Sequence, residues 1–280
     1  MDFAETDEQQ MIREMVREFA ETVAGPTCEK RDKEQIAPIK EFKKFAELGF
    51  AGMTIPEQYG GQKLDDISEA IVIEELSRVD PSLGVMVAVH VGLCSMTIAL
   101  SGNEAQKEKY LPKLASGEFL GAYSLSEAGS GTDAAAMVAK ATDDGDCYTL
   151  NGEKMWVTNG TTADLFVLFA KVTDHPDYGK KSHGGVTCFI IEKGFEGFEI
   201  GKKEDKLGIR SSDTCTLILN NCKVPKENVL GEVGKGFPIA MNALDNSRIG
   251  IAAQGLGIAQ GAYETALKYS KERETFGKPI

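Results

Sequence analysis

Hydrophobic residues recur at helical spacing from the start of the chain. Thr6 and Gln9 have the spacing of a capping box, in which the side chain of each residue accepts a hydrogen bond from the backbone N–H of the other at the start of a helix. A second helix is predicted from about Pro38 to Gly49, since glycine tolerates the left-handed conformation that ends helices. The apolar positions of the first helix are Met11, Ile12, Met15, Val16, Phe19 and Val23.

Two further helices are predicted in this first region. One runs from about Asp66 to Arg78, with Asp66 and Glu69 as its cap. Another begins after Asn103, whose spacing to Gln106 again fits a capping box.

Residues 81–100 form an uncharged, apolar run that approaches the length of a membrane span. The acidic flanks Asp80 and Glu104 and the polar residues within the run favour a buried central helix instead. His90, inside the run, is expected to be a hydrogen-bonded core residue rather than a metal ligand.

From about Phe119 the pattern becomes alternating and is interrupted by turn residues. Asn-Gly or Asp-Gly between short apolar segments is typical of β-hairpins. The dipeptides are Asp144-Gly145, Asn151-Gly152 and Asn159-Gly160, and the second is predicted to separate the strands "CYTL" and "KMWV". Further strands are expected at 164–171, 186–192, 198–203 and 214–220, with a surface loop at 173–185. An antiparallel barrel or sandwich is therefore predicted.

Helical periodicity returns from about Phe237 to Arg273, as one helix or two. The glycines within it suggest close approach of another backbone or a ligand; they are Gly250, Gly255, Gly257 and Gly261. The fold class is therefore α+β. An N-terminal all-α domain is expected at 1–119, a middle β domain at 120–230 and the start of a C-terminal helical bundle at 231–280.

Composition narrows the function. The net charge of −12 argues against a broad nucleic-acid surface. The 6 cysteines have no metal-ligand spacing, so no metal site is expected. Neither a secretory signal nor an Arg-rich transit peptide is visible, and a cytoplasmic protein is expected.

The single tryptophan raises two possibilities. In a regular strand Trp156 and Thr158 point the same way, about 6.6 Å apart along the chain, as a stacking platform with a hydroxyl beside it. A core tryptophan beside a hairpin threonine is the simpler interpretation of this stretch alone. Nearby, Gly129, Ser130, Gly131 and Thr132 form a turn whose exposed amides could cradle a phosphate. No Rossmann, P-loop or zinc-protease motif is present.

Taken together, several segments resemble the acyl-CoA dehydrogenase family of flavoproteins. They are "AYSLSEAGSGTDAAA", "NGEKMWVTNG", "GKKEDKLGIRSSDT", "VPKENVLGEVGKGF" and "ALDNSRIGIAAQGLGIAQGAYETALKYSKERETFGKPI", in the family's order. The resemblance covers essentially the whole chain and is strongest to short-chain, butyryl-CoA-type enzymes. It implies FAD as cofactor, an acyl-CoA substrate, an electron-transfer flavoprotein as partner and a homo-oligomer, a tetramer in the family.

The resemblance also implies roles for individual residues. Trp156 would pack against the flavin ring, and Thr158 would hydrogen-bond near flavin N5. Asp245 and Arg248 would contact the CoA part of the substrate, and Thr132 would lie near both the pantetheine and the cofactor pyrophosphate. The cofactor-binding set is Tyr123, Leu125, Ser126, Thr132, Trp156, Val157, Thr158, Arg273, Thr275 and Phe276, the last three reaching a neighbouring subunit. Ala128 and Thr132 stand where the family often has Pro and Ser.

The family's carboxylate base is not found in this sequence. Butyryl-type enzymes carry a Glu in a region beyond Ile280, and other members carry it immediately before the arginine matching Arg248, where this chain has Ser247. We therefore expect no catalytic residue and no turnover from these 280 residues alone. The alternatives left open are a non-catalytic flavin- or CoA-binding module and another flavoenzyme of the same fold, such as a nitroalkane oxidase or monooxygenase relative.

Overall fold

The computed structural model describes residues 4–280, and the first part of the chain is helical. The helices are α1 (Asp7–Phe19), α2 (Gly25–Glu34), α3 (Ile39–Glu47), α4 (Asp66–Val79), α5 (Pro81–Ala88), α6 (Met96–Ser101) and α7 (Glu104–Ala115). Both predicted capping boxes are confirmed: the hydroxyl of Thr6 accepts from Gln9 N at 3.2 Å, and Asn103 and Gln106 exchange the same pair of bonds.

The predicted cap of α4 is wrong by one residue. Asp65 Oδ1 accepts the backbone N–H of Ser68 at 2.7 Å, so Asp65 is the cap and Asp66 is the first helical residue. Glu69 donates its backbone N–H to Asp65 O but its side chain takes no part in the cap. The misassignment arises because two adjacent aspartates have nearly the same sequence signature.

The prediction of a buried central helix is confirmed. Within residues 4–280, Pro81–Ser101 is the helix long and apolar enough to cross a membrane by length and composition, and most of it is buried inside the protein. Its middle, Val89–Ser95, is a π-helical segment between α5 and α6. His90 is fully buried there, with Nε2 3.2 Å from Leu114 O and Nδ1 accepting from Gly121 N at 3.0 Å, as predicted for a core histidine.

The middle region is a sheet of eight strands. They are β1 (Gly121–Ser124), β2 (Lys140–Asp143), β3 (Cys147–Thr158), β4 (Leu165–Val172), β5 (Val186–Glu192), β6 (Phe198–Lys203), β7 (Thr214–Pro225) and β8 (Val229–Leu230). The spatial order is β6-β7-β3-β2-β4-β5-β8, with β1 beside β4. The α+β class is confirmed, but the sheet is mixed rather than wholly antiparallel. β1 and β2 run parallel to β4 because the chain crosses over instead of turning back between these strands.

The Asn151-Gly152 hairpin prediction is wrong. Both residues lie inside β3, which pairs with β7 along most of its length, and the register shifts between Leu150 and Gly152 mark a bulge. Gly152 has φ 149°, and a side chain there would come within 2.8 Å of Ala139. Glycine is therefore required at this position by a β-bulge and by the close approach of Ala139, and not by a turn.

The alternating side chains of β4 bury both faces of the sheet. Val167 and Phe169 pack toward the helices, whereas Phe166 and Leu168 pack with the residues of the opposite face. The sheet therefore lies between the helical layer and a second apolar core of its own.

The last part of the chain is one helix of 37 residues, α8 (Gly236–Glu272), followed by the short strands β9 (Glu274–Thr275) and β10 (Lys278–Pro279). The predicted close approach is found where α8 crosses α4. A Cβ on Gly257 would lie 2.2 Å from Glu74 O, and one on Gly261 would lie 2.0 Å from Arg78 O. These two glycines allow the helix backbones to touch.

Candidate functional site

A cleft of about 300 Å³ lies where the π-helical segment, the ends of β1 and β3, and α8 meet. Its walls are mostly apolar, with a serine and a threonine hydroxyl and one indole ring among them. The lining residues are Val89, Leu93, Tyr123, Leu125, Ser126, Gly131, Met155, Trp156, Thr158 and Leu244. Five of the predicted site residues are thus brought together at one place.

Trp156 is not a core residue. Its side chain is 57% exposed and lines the cleft beside Thr158, so the simpler interpretation of a buried tryptophan is wrong. The two side chains share the cleft through an irregularity: a register shift between Lys154 and Val157 breaks the pairing with β7, and Trp156 has φ 55°. A left-handed conformation at a bulky residue costs of order 1–2 kcal/mol and is characteristic of functional sites.

Val157 faces away from the cleft. It is buried among the apolar residues on the far face of the sheet and pairs with Cys215 across β7. Among the predicted cofactor residues it can therefore contribute only its backbone to the cleft.

The loop after β1 is fastened to the strand that carries Trp156. Ser126 O accepts from Met155 N at 2.9 Å, and Lys154 Nζ donates to Leu125 O at 2.9 Å. The loop residues and the indole ring are consequently held at a fixed separation across the cleft.

A buried ion pair completes this attachment. Lys154 Nζ lies 2.7 Å from Glu127 Oε1, and the carboxylate also accepts from Val138 N at 2.6 Å and Ala139 N at 3.1 Å. Lys154 is fully buried, and burial lowers the pKa of its ammonium group while the charge of Glu127 opposes that shift. The sequence analysis did not predict this ion pair, although Lys154 was visible within a predicted strand, two positions before Trp156.

Thr132 lies at the rim. Gly131 lines the cleft, whereas Thr132 is exposed and is not among the lining residues. The turn is closed by the hydrogen bonds between Glu127 and Ser130 and by Ser130 Oγ donating to Asp133 O at 2.9 Å.

Asp245 and Arg248 lie on the outer side of α8. Their side chains are 74% and 75% exposed and meet each other at 3.4 Å. Arg248 borders a second cleft, of about 520 Å³, formed by Leu244, Ser247, Arg248, Ile251 and Ala252. Because Leu244 lines both clefts, the predicted substrate residues adjoin the site of the predicted cofactor residues.

Arg273, Thr275 and Phe276 are separated from this cleft within the chain. They belong to the turn and short strands after α8, and Phe276 is 97% exposed. About 44 Å of helix lies between Leu244 and Arg273 at 1.5 Å per residue. The structure does not bring these three residues to the cleft of their own chain.

A basic cleft of about 430 Å³ lies beyond the other end of the loop that begins at Ser126. Lysines from β2, from β4 and from the surface loop 173–185 surround it, beside Met137 and Val138. They are Lys140, Lys171, Lys180 and Lys181. This cluster was not foreseen, because its members are distributed along the sequence.

The first cleft fits the ring system of a flavin. An exposed indole offers a flat apolar surface, Thr158 offers a hydroxyl beside it, and Tyr123 and the loop residues Leu125 and Ser126 line the same cleft. An aromatic face with a neighbouring donor is what holding and orienting such a ring requires.

Comparison with known proteins gives the family of the chain. The chain matches the acyl-CoA dehydrogenase N-terminal domain over residues 6–118, the middle domain over 122–222 and the C-terminal domain over 234–280. It is 48% identical over 280 residues to a short-chain specific acyl-CoA dehydrogenase of Clostridium acetobutylicum, covering 100% of this chain and 73% of that protein.

Two solved structures share the fold throughout. Butyryl-CoA dehydrogenase of Megasphaera elsdenii is 44% identical with a TM-score of 0.94, covering 100% of this chain and 73% of that chain. A structure described as an electron transferring flavoprotein of Acidaminococcus fermentans is 49% identical with a TM-score of 0.95, covering 100% and 72%. Solved relatives include FAD complexes, and the family depends on FAD. The chain belongs to the acyl-CoA dehydrogenase family of oxidoreductases.

Proposed function

We propose that the chain is part of an FAD-dependent dehydrogenase that removes hydrogen from the α and β carbons of a short-chain acyl-CoA such as butyryl-CoA. The observation that carries the proposal is the exposed Trp156 ring beside the Thr158 hydroxyl in a cleft that also touches α8. The relatives named above, which act on short-chain and butyryl thioesters by their descriptions, support the substrate class.

The bound flavin would supply the hydride acceptor, and the chain's residues would orient it. Trp156 would cover one face of the ring, and the hydroxyl of Thr158 would donate a hydrogen bond at its edge. The apolar residues Val89, Leu93 and Leu244 would exclude water from the acyl chain. This division leaves the reacting carbons between the flavin and the helical wall.

The basic cleft is proposed to receive the phosphates of CoA. The segment from Ser126 to Val138 lines the first cleft at one end and the basic cleft at the other, so a pantetheine arm could follow it. Lys140 and Lys180 have no ion-pair partner among residues 4–280, which leaves their charges available. Replacing both by Gln should raise the Kd for butyryl-CoA about tenfold and leave that for butyryl-pantetheine unchanged.

We also propose an electron-transfer flavoprotein as the partner, a homo-oligomeric assembly and a cytoplasmic location. Met11 and Met15 are 65% and 46% exposed one turn apart on α1. Gln9 is hydrogen-bonded to Asp65 at the start of α4, which also exposes Ile67. An exposed methionine-rich surface suits a transient protein partner.

The fully exposed Phe276 turn similarly supports contact with a second copy.

One observation favours the alternative of a non-catalytic flavin- or CoA-binding module. Ser247 occupies the position at which some relatives are expected to carry the base, and its hydroxyl donates to Leu244 O at 3.0 Å, within α8. A serine hydroxyl engaged in this way cannot remove an α-proton at neutral pH.

Anaerobic absorbance spectroscopy separates these functions. Because no base is expected within these 280 residues, the flavin-loaded whole protein of which the chain is proposed to be part is titrated with butyryl-CoA: bleaching of the flavin band supports the dehydrogenase, and a bound flavin that is not bleached supports the binding module. Failure to bind FAD would contradict the dehydrogenase and a flavin-binding module, and failure to bind butyryl-CoA as well would contradict a CoA-binding module.

A matched pair of variants tests the role of the indole ring. Trp156→Ala should weaken FAD binding about tenfold, as expected for the loss of a stacking contact of order 1 kcal/mol. Tyr263→Ala is the control, because Tyr263 is a similarly exposed aromatic residue on α8 outside the cleft. Equal effects of the two substitutions would contradict the assignment.

A further inference from the structure

Glu69 is turned inward from α4 toward two helices. Its Oε1 atom lies 3.2 Å from the position that a Cβ on Gly92 would take and 3.7 Å from the corresponding position on Gly250. Ser247 Cβ is 3.9 Å from the same Gly92 position. The Glu69 carboxyl group therefore lies between the π-helical segment and α8, in space that is open because Gly92 and Gly250 have no side chains.

This carboxyl has no partner in the described part of the chain. No hydrogen bond or ion pair from residues 4–280 reaches its side chain, whereas Glu74 and Glu75 on the same helix are both paired with arginine side chains. Burial raises the pKa of Glu69 to about 7, and the charge of Asp66 on the same helix adds to the rise. Withdrawing an unpaired carboxyl from water costs free energy, and carboxyl groups with a pKa shifted by burial are candidates for functional sites.

The position of Glu69 adjoins the wall of the first cleft. Gly92 immediately precedes Leu93 and follows Val89 by three residues, and both of those side chains line the cleft. Ser247 follows Leu244 by one turn of α8, and Leu244 lines the cleft as well. The carboxyl thus lies beside the helix positions that carry these apolar cleft residues, in the π-helical segment and in α8.

We propose that Glu69 is a specificity-determining residue that selects acyl-CoA thioesters whose acyl chain carries a terminal hydroxyl, through a hydrogen bond between that hydroxyl and the Glu69 carboxyl. The inference rests on the proposed acyl-CoA function and deepens it by naming the substrate class. It is carried by the juxtaposition of Glu69, Gly92, Ser247 and the cleft wall.

The chemistry of the carboxyl explains the selectivity. A carboxyl group can both donate and accept, so it can bind a hydroxyl in either protonation state. A wholly alkyl chain in the same place would offer the carboxyl neither a donor nor an acceptor. Sites that hydrogen-bond a substrate hydroxyl discriminate more strongly against the analogue that lacks it than apolar pockets discriminate between chain lengths.

Two thioesters and three variants test this inference. The Kd values of butyryl-CoA and 4-hydroxybutyryl-CoA are measured by flavin spectral perturbation on the flavin-loaded full chain and confirmed by calorimetry. The wild type should bind the hydroxylated thioester at least tenfold more tightly. Glu69→Leu should reverse this preference, and Glu69→Gln, which keeps a donor and an acceptor, should retain most of it.

The control variant is Glu108→Leu, a change of the same chemistry on the exposed face of α7, which should alter neither Kd. Equal binding of the two thioesters by the wild type, or a preference unaffected by Glu69→Leu, would overturn the specificity role while leaving the acyl-CoA function intact. If neither thioester binds the wild type, both the inference and the proposed function are overturned. If Glu69→Leu does not fold, Glu69→Ala replaces it, with Asp66→Asn as a neighbouring control: loss of the preference in Glu69→Ala supports the inference, and a preference retained there overturns it.

Discussion

Two carboxylates adjoin elements that form the cleft, one beside the sheet and one between the helices, and their surroundings differ. Glu127 is buried beneath the loop after β1 and is met by Lys154 and two backbone N–H groups. Glu69 lies between α4, the π-helical segment and α8, where no cation and no hydrogen-bond donor from residues 4–280 meets its carboxyl group. The first is fully satisfied within the chain, and the second is not.

The difference separates a structural from a ligand-directed group. A satisfied buried pair contributes order: it fixes the loop that carries Leu125 and Ser126 relative to the strand that carries Trp156. An unsatisfied carboxyl contributes nothing to that order and raises the free energy of the folded state. Groups of this second kind cluster at functional sites, which is why Glu69 rather than Glu127 is assigned a role toward the substrate.

The largest effect is expected from breaking the satisfied pair. Lys154→Met leaves the Glu127 carboxylate buried without its cation and should lower the free energy of unfolding by about 3–5 kcal/mol. The measurement is urea unfolding followed by circular dichroism at pH 7. A loss below about 1 kcal/mol would show that the pair does not hold the loop.

The double variant Lys154→Met with Glu127→Leu is the matched control. Because it removes both charges, it should recover much of the stability lost in the single variant. The flavin affinity should remain low in the double variant, since the Lys154 bond to Leu125 O is lost in either case. If stability recovers in the double variant and flavin affinity does not, the effect of Lys154 on loop position is separated from its effect on folding.

Local patterns predicted most of the helical region but not the environment of its charges. The capping boxes at Thr6 and Asn103 depend on residues three positions apart, so sequence alone was sufficient. Glu69 was assigned to a helix cap because its spacing from Asp66 fits that motif, whereas its actual surroundings come from Gly92 and Gly250 on other helices. Long-range packing of this kind leaves no local signature.

The same limit explains the errors in the sheet. Asn151-Gly152 has the composition of a hairpin turn, but continuous pairing of β3 with β7 overrides that preference. The register shift and the left-handed backbone at Trp156 were likewise invisible in the sequence. Regular strand spacing predicted a shared face for Trp156 and Thr158, and in the structure both side chains reach the cleft through this irregularity.

The next largest effect is expected at Glu69, and it depends on pH. The pKa of this carboxyl is about 7 in the folded state against an ordinary value of 4.5, so the fold favours the protonated form. Below pH 4.5 both states are protonated and no cost arises. As pH rises from 4.5 to 7 the unfolded chain ionises first, and the fold loses stability until the cost is complete above pH 7.

Glu69→Gln should therefore raise the free energy of unfolding by about 2 kcal/mol at pH 8 and by almost nothing at pH 4.5. Asp66 is the charged neighbour on α4; the π-helical segment and α8 present Gly92, Ser247 and Gly250, and Arg248 is turned toward Asp245 at the surface. Urea unfolding at the two pH values provides the measurement, with Glu108→Gln as the control. A pH-independent effect would mean that Glu69 is not desolvated.

A smaller effect is expected from filling the space beside Glu69. Gly92→Ala would place a methyl group 3.2 Å from Oε1, so the carboxyl must shift by a few tenths of an ångström. We expect a loss of about 1 kcal/mol in stability and a severalfold weaker preference for the hydroxylated thioester. In a double-mutant cycle with Glu69→Gln, a coupling energy near zero would contradict contact between the two positions.

The smallest loss of stability is expected from removing a solvent-exposed ion pair on the same sheet. Lys223 Nζ lies 2.9 Å from Asp144 Oδ2 beside the β2–β3 turn, and both side chains are largely solvated. Lys223→Met should leave the urea midpoint unchanged within error, because solvent screens the charges and the side chains lose entropy when they pair. Repeating the measurement at low and high salt extends the test: Lys154→Met should remain strongly destabilised at both, since the buried pair is inaccessible to ions. A Lys223 variant as destabilised as the Lys154 variant would contradict burial as the cause of the difference between the two pairs.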